Sequence, residues 1–388
     1  MPSITAALQK EKAQANSKLI SNGMIEITPD QNATALPLDI VMVLDVSGSM
    51  RGEGIQVVID SVLHLQSMLS PDDRLAIITF NNSAKIHSSW VGANDTIAGM
   101  TASLGTNFNA AINKLLDFLG SEGGDSGRAG VALFMSDGRP AGNQHAREVD
   151  LQAITSFGYT MHCIGVTSGV NPDHLEHMAE TARGRYFSAQ SFPDVKDKFT
   201  QLFNFGKTIW YSAPVLTVDV SPGVILSEIM EVNGLDLCNG QSLTAGQHAL
   251  TLANFTQGMI SQVSFKVEAD QIASGVNTLA KVQFDSITAD LDVEGCSDTT
   301  QILSAPINNA VIISRTTANA TKAIKTGNTA VATRLLNKLE TIGNTIPSAG
   351  DTSTILKTIV GETNKGTIHE TIGSIAVDTT GKTVKREN

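Results

Sequence analysis

The chain has 388 residues, of which 41% are hydrophobic and 17% charged, a balance typical of a folded protein with two or three domains and a sizeable apolar core. Its net charge of −11 is uneven: residues 310–388 carry ten basic and six acidic side chains, whereas the first 309 residues have a net charge of −15. This acidic body argues against non-specific binding to nucleic acid.

The predicted elements begin with a polar helix or loose end over residues 1–17, followed by a short alternating strand within residues 18–36. From residue 37 to residue 207, apolar strands alternate with helical stripes. This alternation predicts an α/β domain with a Rossmann-like, doubly wound sheet. Residues 95–100 are expected to add a short helix ahead of a glycine-containing loop.

The apolar period changes to two over residues 208–306, which predicts a β-sandwich. The strand within residues 18–36 would complete this sandwich, so that the α/β domain is inserted into it. Residues 307–366 return to helical spacing and are expected to form two or three packed helices. Residues 367–388, rich in threonine and lysine, are expected to be an exposed tail.

Signals for export are missing from the sequence as it stands. The first 19 residues lack an apolar core of signal-peptide length, and no window reaches ~18 apolar residues. Cys163, Cys238 and Cys296 are too few for a disulfide framework, so we expect free thiols, although Cys238 and Cys296 could pair. These signals favour a cytoplasmic location without a membrane span.

One stretch of the α/β region joins a buried strand to a set of oxygen ligands. Residues 38–44 form a near-continuous apolar run, and Asp45-x-Ser47-x-Ser49 follows directly, ahead of a helical pattern. Open α/β sheets place their ligands at this edge, and hard oxygen donors suit Mg²⁺ better than zinc or copper. A helix N-cap would explain one such residue, but not three at alternate positions.

The motif Asp45-x-Ser47-x-Ser49 resembles the first loop of the metal-ion-dependent adhesion site of von Willebrand factor type A domains. In that family two further loops supply a threonine and an aspartate. Residues 104–112 resemble the second loop, with Thr106 as its ligand, and residues 133–140 resemble the third, with Asp137 as its ligand.

The resemblance covers residues 37–207 and implies a Mg²⁺ site built from five side chains, which are Asp45, Ser47, Ser49, Thr106 and Asp137. Mn²⁺ accepts the same oxygen ligands. The family resemblance further implies that Thr106 binds directly only in an open conformation, which would couple metal binding to helix movement. The order of α/β, β-rich and helical regions is similar to bacterial and plant proteins of this family that carry an adjoining β-rich domain.

The implied function is Mg²⁺-dependent protein binding rather than catalysis. Few charged ligands leave the ion with residual positive charge and an exchangeable water, which an Asp or Glu carboxylate from a partner protein can replace. Arg139 could guide such an acidic partner to the metal, although a salt bridge within its loop is an equal alternative.

Two other functions stay open at this point. A Mg²⁺-dependent hydrolase would need a base or a phosphate-binding loop beside the motif, and the sequence offers neither. A structural subunit of a larger assembly is also conceivable, since some members of the family are partners of AAA+ ATPases.

Several histidines could be read as further ligands. His174 and His177 lie three apart on one predicted helix, with His145 and His162 earlier in the chain. No third ligand with suitable spacing is evident beyond Glu176 and Glu180, so surface histidines are the expectation. The pair Trp210-Tyr211 is interpreted as packing between domains.

Overall fold

The computed structural model describes residues 1–30, 32–97, 99–123, 127–138, 140, 145–166, 171–360, 362, 368, 375–378 and 383–385. Its strands are β1 (Ser3–Leu8), β2 (Lys12–Gln14), β3 (Ser17–Thr28), β4 (Leu38–Asp45), β5 (Arg74–Phe80), β6 (Ala84–Val91), β7 (Ala129–Ser136), β8 (Tyr159–Val166), β9 (Arg183–Ala189), β10 (Ile209–Tyr211), β11 (Val215–Val220), β12 (Val224–Glu231), β13 (Gly246–Thr251), β14 (Phe255–Thr256), β15 (Met259–Ile272), β16 (Gly275–Phe284), β17 (Ile287–Cys296), β18 (Ile375–Asp378) and β19 (Thr383–Lys385).

The helices follow the same numbering. They are α1 (Glu53–Ser67), α2 (Phe108–Glu122), α3 (Glu148–Ser156), α4 (Pro172–Thr181), α5 (Asp194–Gly206), α6 (Thr299–Ser304), α7 (Asn309–Lys325), α8 (Thr329–Gly343) and α9 (Pro347–Val360). Residues Gly48–Met50 form a short 3₁₀ turn between β4 and α1.

The α/β region is a six-stranded sheet in the order β6-β5-β4-β7-β8-β9, parallel except for the edge strand β6. Residues of α1 and α5 share one apolar core with one face of the sheet, and residues of α2, α3 and α4 share another with the opposite face. Strand β4 is buried along its whole length, as its continuous apolar run predicts. The predicted doubly wound architecture is confirmed.

Two largely antiparallel sheets form the β-sandwich. One contains β1, β3 and β15 with β12 also paired to β15, and the other runs β13-β11-β16-β17-β2. Their inner faces share one core, in which Leu8, Phe265 and Phe284 are fully buried. Strand β3 precedes the α/β region and pairs with β15, which follows it. The backbone N–H of Leu36 donates to the carbonyl of Ile209 at 2.8 Å, so the chain enters and leaves the α/β region at neighbouring points.

The C-terminal helices α7, α8 and α9 pack around a small core that includes Leu336, Leu339 and Leu356. The side chains of Asn308 and Asn328 cap α7 and α8 by accepting hydrogen bonds from first-turn backbone N–H groups. Lys325, at the end of α7, pairs with Glu176 and Glu180 of α4. This ion-pair cluster ties the helical region to the α/β region.

Two local predictions are wrong, and a third segment contains strands within a predicted tail. Residues 3–8 form strand β1 rather than a helix or loose end, because they pair along their full length with β3. Within the predicted exposed tail, residues 375–378 and 383–385 are the strands β18 and β19, and β18 pairs with Met259 and Ile260 of β15. Among residues 92–97 and 99–107 there is no helix; Gly92 instead donates its backbone N–H to Asp95 Oδ2 at 2.7 Å.

The domain boundaries stay a prediction. The three cysteines are free thiols, and Cys163 and Cys296 are buried. Trp210 and Tyr211 pack in an aromatic cluster with Phe255, at ring-centre distances of 5.7 and 6.2 Å. Among the helices in the described part of the chain, none is long and apolar enough to span a membrane.

Candidate metal centre

The first ligand loop begins at the buried end of β4, the strand between β5 and β7. Asp45 is fully buried, and its Oδ1 accepts a hydrogen bond from the backbone N–H of Ser47 at 2.8 Å. The hydroxyl oxygens of Ser47 and Ser49 are 2.9 Å apart. The turn therefore folds back on the strand end, so that three oxygen-bearing side chains face the same space.

The third loop follows β7, the parallel neighbour of β4. The Ser49 hydroxyl donates to Asp137 Oδ1 at 2.9 Å, which joins the first and third loops directly. Ser136, which the sequence analysis did not single out, donates its hydroxyl to Asp45 Oδ2 at 2.6 Å. A hydroxyl at the last position of a buried strand, beside a predicted ligand, is the signal that could have revealed its role.

The second loop is held against the turn after β5. The backbone N–H of Asn107 donates to the carbonyl of Asn81 at 2.8 Å, and its side chain caps α2 by accepting from Ala110 N at 3.0 Å. Gly105 has φ +94°, and a Cβ there would lie 2.6 Å from Asn82 Cβ, so this position requires glycine.

This loop places Thr106 beside the third loop. Thr106 Oγ1 lies 3.8 Å from the position that a Cβ on Gly138 would take. The five residues singled out in the sequence therefore lie at one edge of the sheet, where hydrogen bonds join four of them and Thr106 stands next to the third loop. Arg139 lies outside the described residues.

The two carboxylates of this site are held by neutral groups. Burial raises the pKa of Asp45 to about 6, although hydrogen bonds from Ser136 and Ser47 act in the opposite direction. Burial also raises the pKa of Asp137 above its usual range, against the hydrogen bond from Ser49. Within the described ranges, no Lys or Arg forms an ion pair with Asp45 or Asp137. Two buried acids without a basic partner favour the binding of a cation.

The donor set fits Mg²⁺ or Mn²⁺. Two carboxylates and three hydroxyls are hard oxygen donors, and Mg²⁺ is commonly held by one or two carboxylates while it keeps several waters. The described residues contain no cluster of three or more His, Cys, Asp or Glu side chains that could hold a metal. The candidate centre therefore depends on its serine and threonine hydroxyls.

Of the histidines expected at the surface, His145 and His177 are exposed, whereas His162 is buried. His145 Nδ1 and His174 Nε2 are 3.3 Å apart, whereas His162 is buried and accepts a hydrogen bond from Arg185 N at 3.0 Å. Burial, together with the nearby His145 and His177, lowers the pKa of His174. No local sequence pattern pairs His145 with His174, because they follow different strands.

The fold and this site define an α/β domain with oxygen ligands on three loops at the carboxyl edge of its parallel sheet. Residues 39–201 match the family model of the von Willebrand factor type A domain. This match identifies a von Willebrand factor type A domain at residues 39–201, within the range 37–207 that the sequence resemblance covers. Domains of this family commonly mediate protein–protein interactions.

Two solved structures are similar to nearly the whole chain. A von Willebrand factor type A protein from Catenulispora acidiphila has a TM-score of 0.68 at 15% identity, covering 99% of this chain and 97% of that one. The ArnB paralog VWA2 from Sulfolobus acidocaldarius has a TM-score of 0.64 at 17% identity, covering 97% and 99%. At these identities the likeness shows the fold alone, including the sandwich and the C-terminal helices.

The curated relatives match a smaller part of this chain. An uncharacterized protein of Synechocystis sp. is 25% identical over 275 residues, which cover 66% of this chain and 62% of the relative. Inter-alpha-trypsin inhibitor heavy chain H4 of Homo sapiens is 26% identical over 224 residues, which cover 52% of this chain and 24% of the relative. The chain thus spans less than two thirds of either relative.

Proposed function

We propose that the protein is a Mg²⁺-dependent protein-binding module that captures an Asp or Glu carboxylate of its partner at the carboxyl edge of the α/β sheet. The observation that carries this proposal is the chain of hydrogen bonds that connects Asp45 through Ser47 and Ser49 to Asp137, with Thr106 beside it. When bound, Mg²⁺ would offer the partner an exchangeable coordination position.

The serines have a defined part in this proposal. Ser47 and Ser49 can present neutral oxygens to the ion, so that only Asp45 and Asp137 reduce its charge. Ser136 and the backbone of Ser47 hold the Asp45 carboxylate in place through both of its oxygens. Such hydrogen bonds to a ligand fix its orientation and contribute to metal affinity.

An exposed apolar side chain stands beside the centre and suits a protein partner. Leu104 is 71% exposed, and its Cδ2 lies 3.1 Å from the position of a Cβ on Gly48, within the first ligand loop. A partner carboxylate at the metal would bring its neighbouring residues over Leu104. Burial of a leucine side chain stabilises such a contact by about 1.5–3 kcal/mol.

We propose binding rather than catalysis, because in the described ranges no His, Lys or Arg forms a hydrogen bond or ion pair with either carboxylate. Asp45 and Asp137 have only hydroxyl and backbone hydrogen-bond partners in the described part of the chain. A hydrolytic centre needs a positioned base or nucleophile within hydrogen-bond reach. A phosphoester turnover that requires Mg²⁺ and disappears in Asp137→Asn would contradict this part of the proposal.

The test is calorimetric titration of Mg²⁺ into the wild type and into Asp45→Asn, followed by selection on each protein from a library of glutamate-containing peptides and their glutamine analogues. We expect the wild type to bind Mg²⁺ and, only in its presence, to enrich acidic peptides over their glutamine analogues. Asp60→Asn, on the exposed face of α1, is the matched control and should behave as the wild type. Equal Mg²⁺ binding by Asp45→Asn would refute the proposed site.

A further inference from the structure

A pair of histidines lies at the same sheet edge as the candidate centre but outside it. His174 is in the first turn of α4, which follows β8, and His145 lies just ahead of α3, which follows β7. His145 Nδ1 and His174 Nε2 face each other at 3.3 Å. Neither residue is among the five proposed Mg²⁺ ligands.

We propose that His145 and His174 together bind a transition metal of the Zn²⁺ class. Two imidazole nitrogens bound to one tetrahedral Zn²⁺ at about 2.0–2.1 Å are about 3.3–3.4 Å apart. The observed separation already has this value, so little movement is needed to admit the ion. In each neutral ring one nitrogen binds the metal while the other keeps its proton, so no proton has to be released.

The neighbouring packing holds the His174 ring and anchors the chain that follows His145. The His174 ring stacks on Phe108, with ring centres 5.8 Å apart and planes at 14°. Next to His145, Ala146 packs against the apolar core, and Arg147 forms two hydrogen bonds with Asp150 at 2.5 and 2.9 Å. A ligand held by its surroundings loses less freedom when the metal binds.

The pair leaves part of the metal shell open. In the described ranges no third His, Cys, Asp or Glu joins it to form a metal-binding group. Glu176 and Glu180, which the sequence placed nearby, are engaged by Lys325 of α7. Water, or a donor atom from another molecule, would fill the remaining positions, as in zinc sites that keep an open coordination position.

The nitrogen ligands separate this site from the oxygen centre. Imidazole is a ligand for Zn²⁺, Cu²⁺ and Ni²⁺, whereas Mg²⁺ prefers carboxylate, carbonyl and water oxygens. The two sites can therefore be loaded independently, and this proposal does not rest on the proposed function.

The experiment is calorimetric titration of ZnCl₂ into the chelator-treated protein in excess MgCl₂. We expect one Zn²⁺ per chain in the wild type, and an affinity at least about tenfold lower in His145→Ala and in His174→Ala, because even the outer partners of metal ligands contribute about 10–100-fold. Zn²⁺ should also raise the melting temperature of the wild type but not of these variants.

Two control variants make the result decisive. His177→Ala removes an exposed histidine of the same helix and should bind Zn²⁺ as the wild type does, as should Asp45→Asn. Should His174→Ala fold poorly after losing its contact with Phe108, the exposed His145 still provides the test. Unchanged Zn²⁺ affinity in His145→Ala, or a loss in His177→Ala as large as in the pair, would overturn the proposal.

Discussion

Strand β4 carries a buried aspartate near each end, and the two carboxylates have opposite surroundings. Asp39 receives Arg74 Nε and Nη2 at 2.7 Å each, Arg128 Nε at 2.5 Å and the Tyr159 hydroxyl at 3.4 Å. Asp45, six residues later, has only hydroxyl and backbone N–H donors. Both side chains are almost completely shielded from solvent.

The comparison distinguishes a buried aspartate with a structural role from a buried aspartate that we propose as a metal ligand. The charge of Asp39 is balanced by arginines of the protein, so its carboxylate needs no cation from outside. At Asp45 burial raises the pKa to about 6 because no cation is supplied by the described residues. A buried acid without a basic partner is what a metal ligand requires, and this is the role that we propose for Asp45.

The largest expected effect is the loss of stability when Asp39 is removed. Asp39→Ala leaves two arginines without their carboxylate, and we expect the free energy of unfolding to fall by about 3 kcal/mol, at the lower end for a buried pair because Arg74 and Arg128 are partly exposed. Urea denaturation measures it. Asp60→Ala is the control and should change stability by less than about 0.5 kcal/mol; an equally small loss in Asp39→Ala would break the comparison.

The second effect is the loss of metal-dependent stabilisation in Asp45→Asn. At a Mg²⁺ concentration of 100 times Kd, the free energy of unfolding of the wild type should rise by about 2.7 kcal/mol. That of the variant should not change. Without metal, Asp45→Asn should be at least as stable as the wild type, because it removes a buried carboxylate that lacks a cation. Thermal melts in Mg²⁺ and in EDTA test both statements, and a variant that responds to Mg²⁺ as strongly as the wild type would contradict them.

A smaller effect is expected for the second loop. Thr106→Ala should weaken Mg²⁺ binding about tenfold, which corresponds to about 1.4 kcal/mol. The reason is that the variant loses one of the five proposed ligands. Thr101→Ala, an exposed position ahead of the same loop, is the matched control. Calorimetry on both variants sharpens the comparison, and indistinguishable affinities would remove Thr106 from the ligand set.

The smallest effect concerns Asp73, which has a basic partner as Asp39 does. Burial alone would raise its pKa, but hydrogen bonds from Ser70, Leu38 N and Lys207 lower it below the ordinary value of 3.8. Because the folded pKa is the lower one, its stabilisation is complete above 3.8 and is lost as the pH falls through the folded value.

We therefore expect Asp73→Asn to lower the free energy of unfolding by about 1 kcal/mol at neutral pH. The difference in this free energy between the variant and the wild type should become smaller as the pH is lowered past 3.8. Urea denaturation over a pH series measures it. A difference that stays constant down to the acid limit would show that the carboxylate charge has no part in the effect.

The parallel sheet and the first candidate ligand loop could be predicted from sequence for a local reason, whereas Thr106 and Asp137 were assigned only through the family resemblance. A strand covered on both faces is an apolar run, and the polar residues that follow it lie at the carboxyl edge. Leu38–Asp45 and Ala129–Ser136 both have this form, and their ends meet through Ser136 and Asp45.

What the sequence did not reveal depends on pairing between distant segments. Strand β2 is defined by its contact with β17, where Lys12 pairs with Glu294, and no local pattern in three residues predicts it. The contact between His145 and His174 likewise forms only once β7 and β8 lie side by side. The arginine partners of Asp39 come from two other segments for the same reason.

The hydrogen bond between Leu36 and Ile209 has a practical consequence. Since both ends of the inserted region meet there, a linker of about two to five residues, the length of a hairpin loop, could bridge them in a shortened chain. The sandwich would then retain all of its strands. Another binding domain whose ends lie close together could be inserted in place of the excised region.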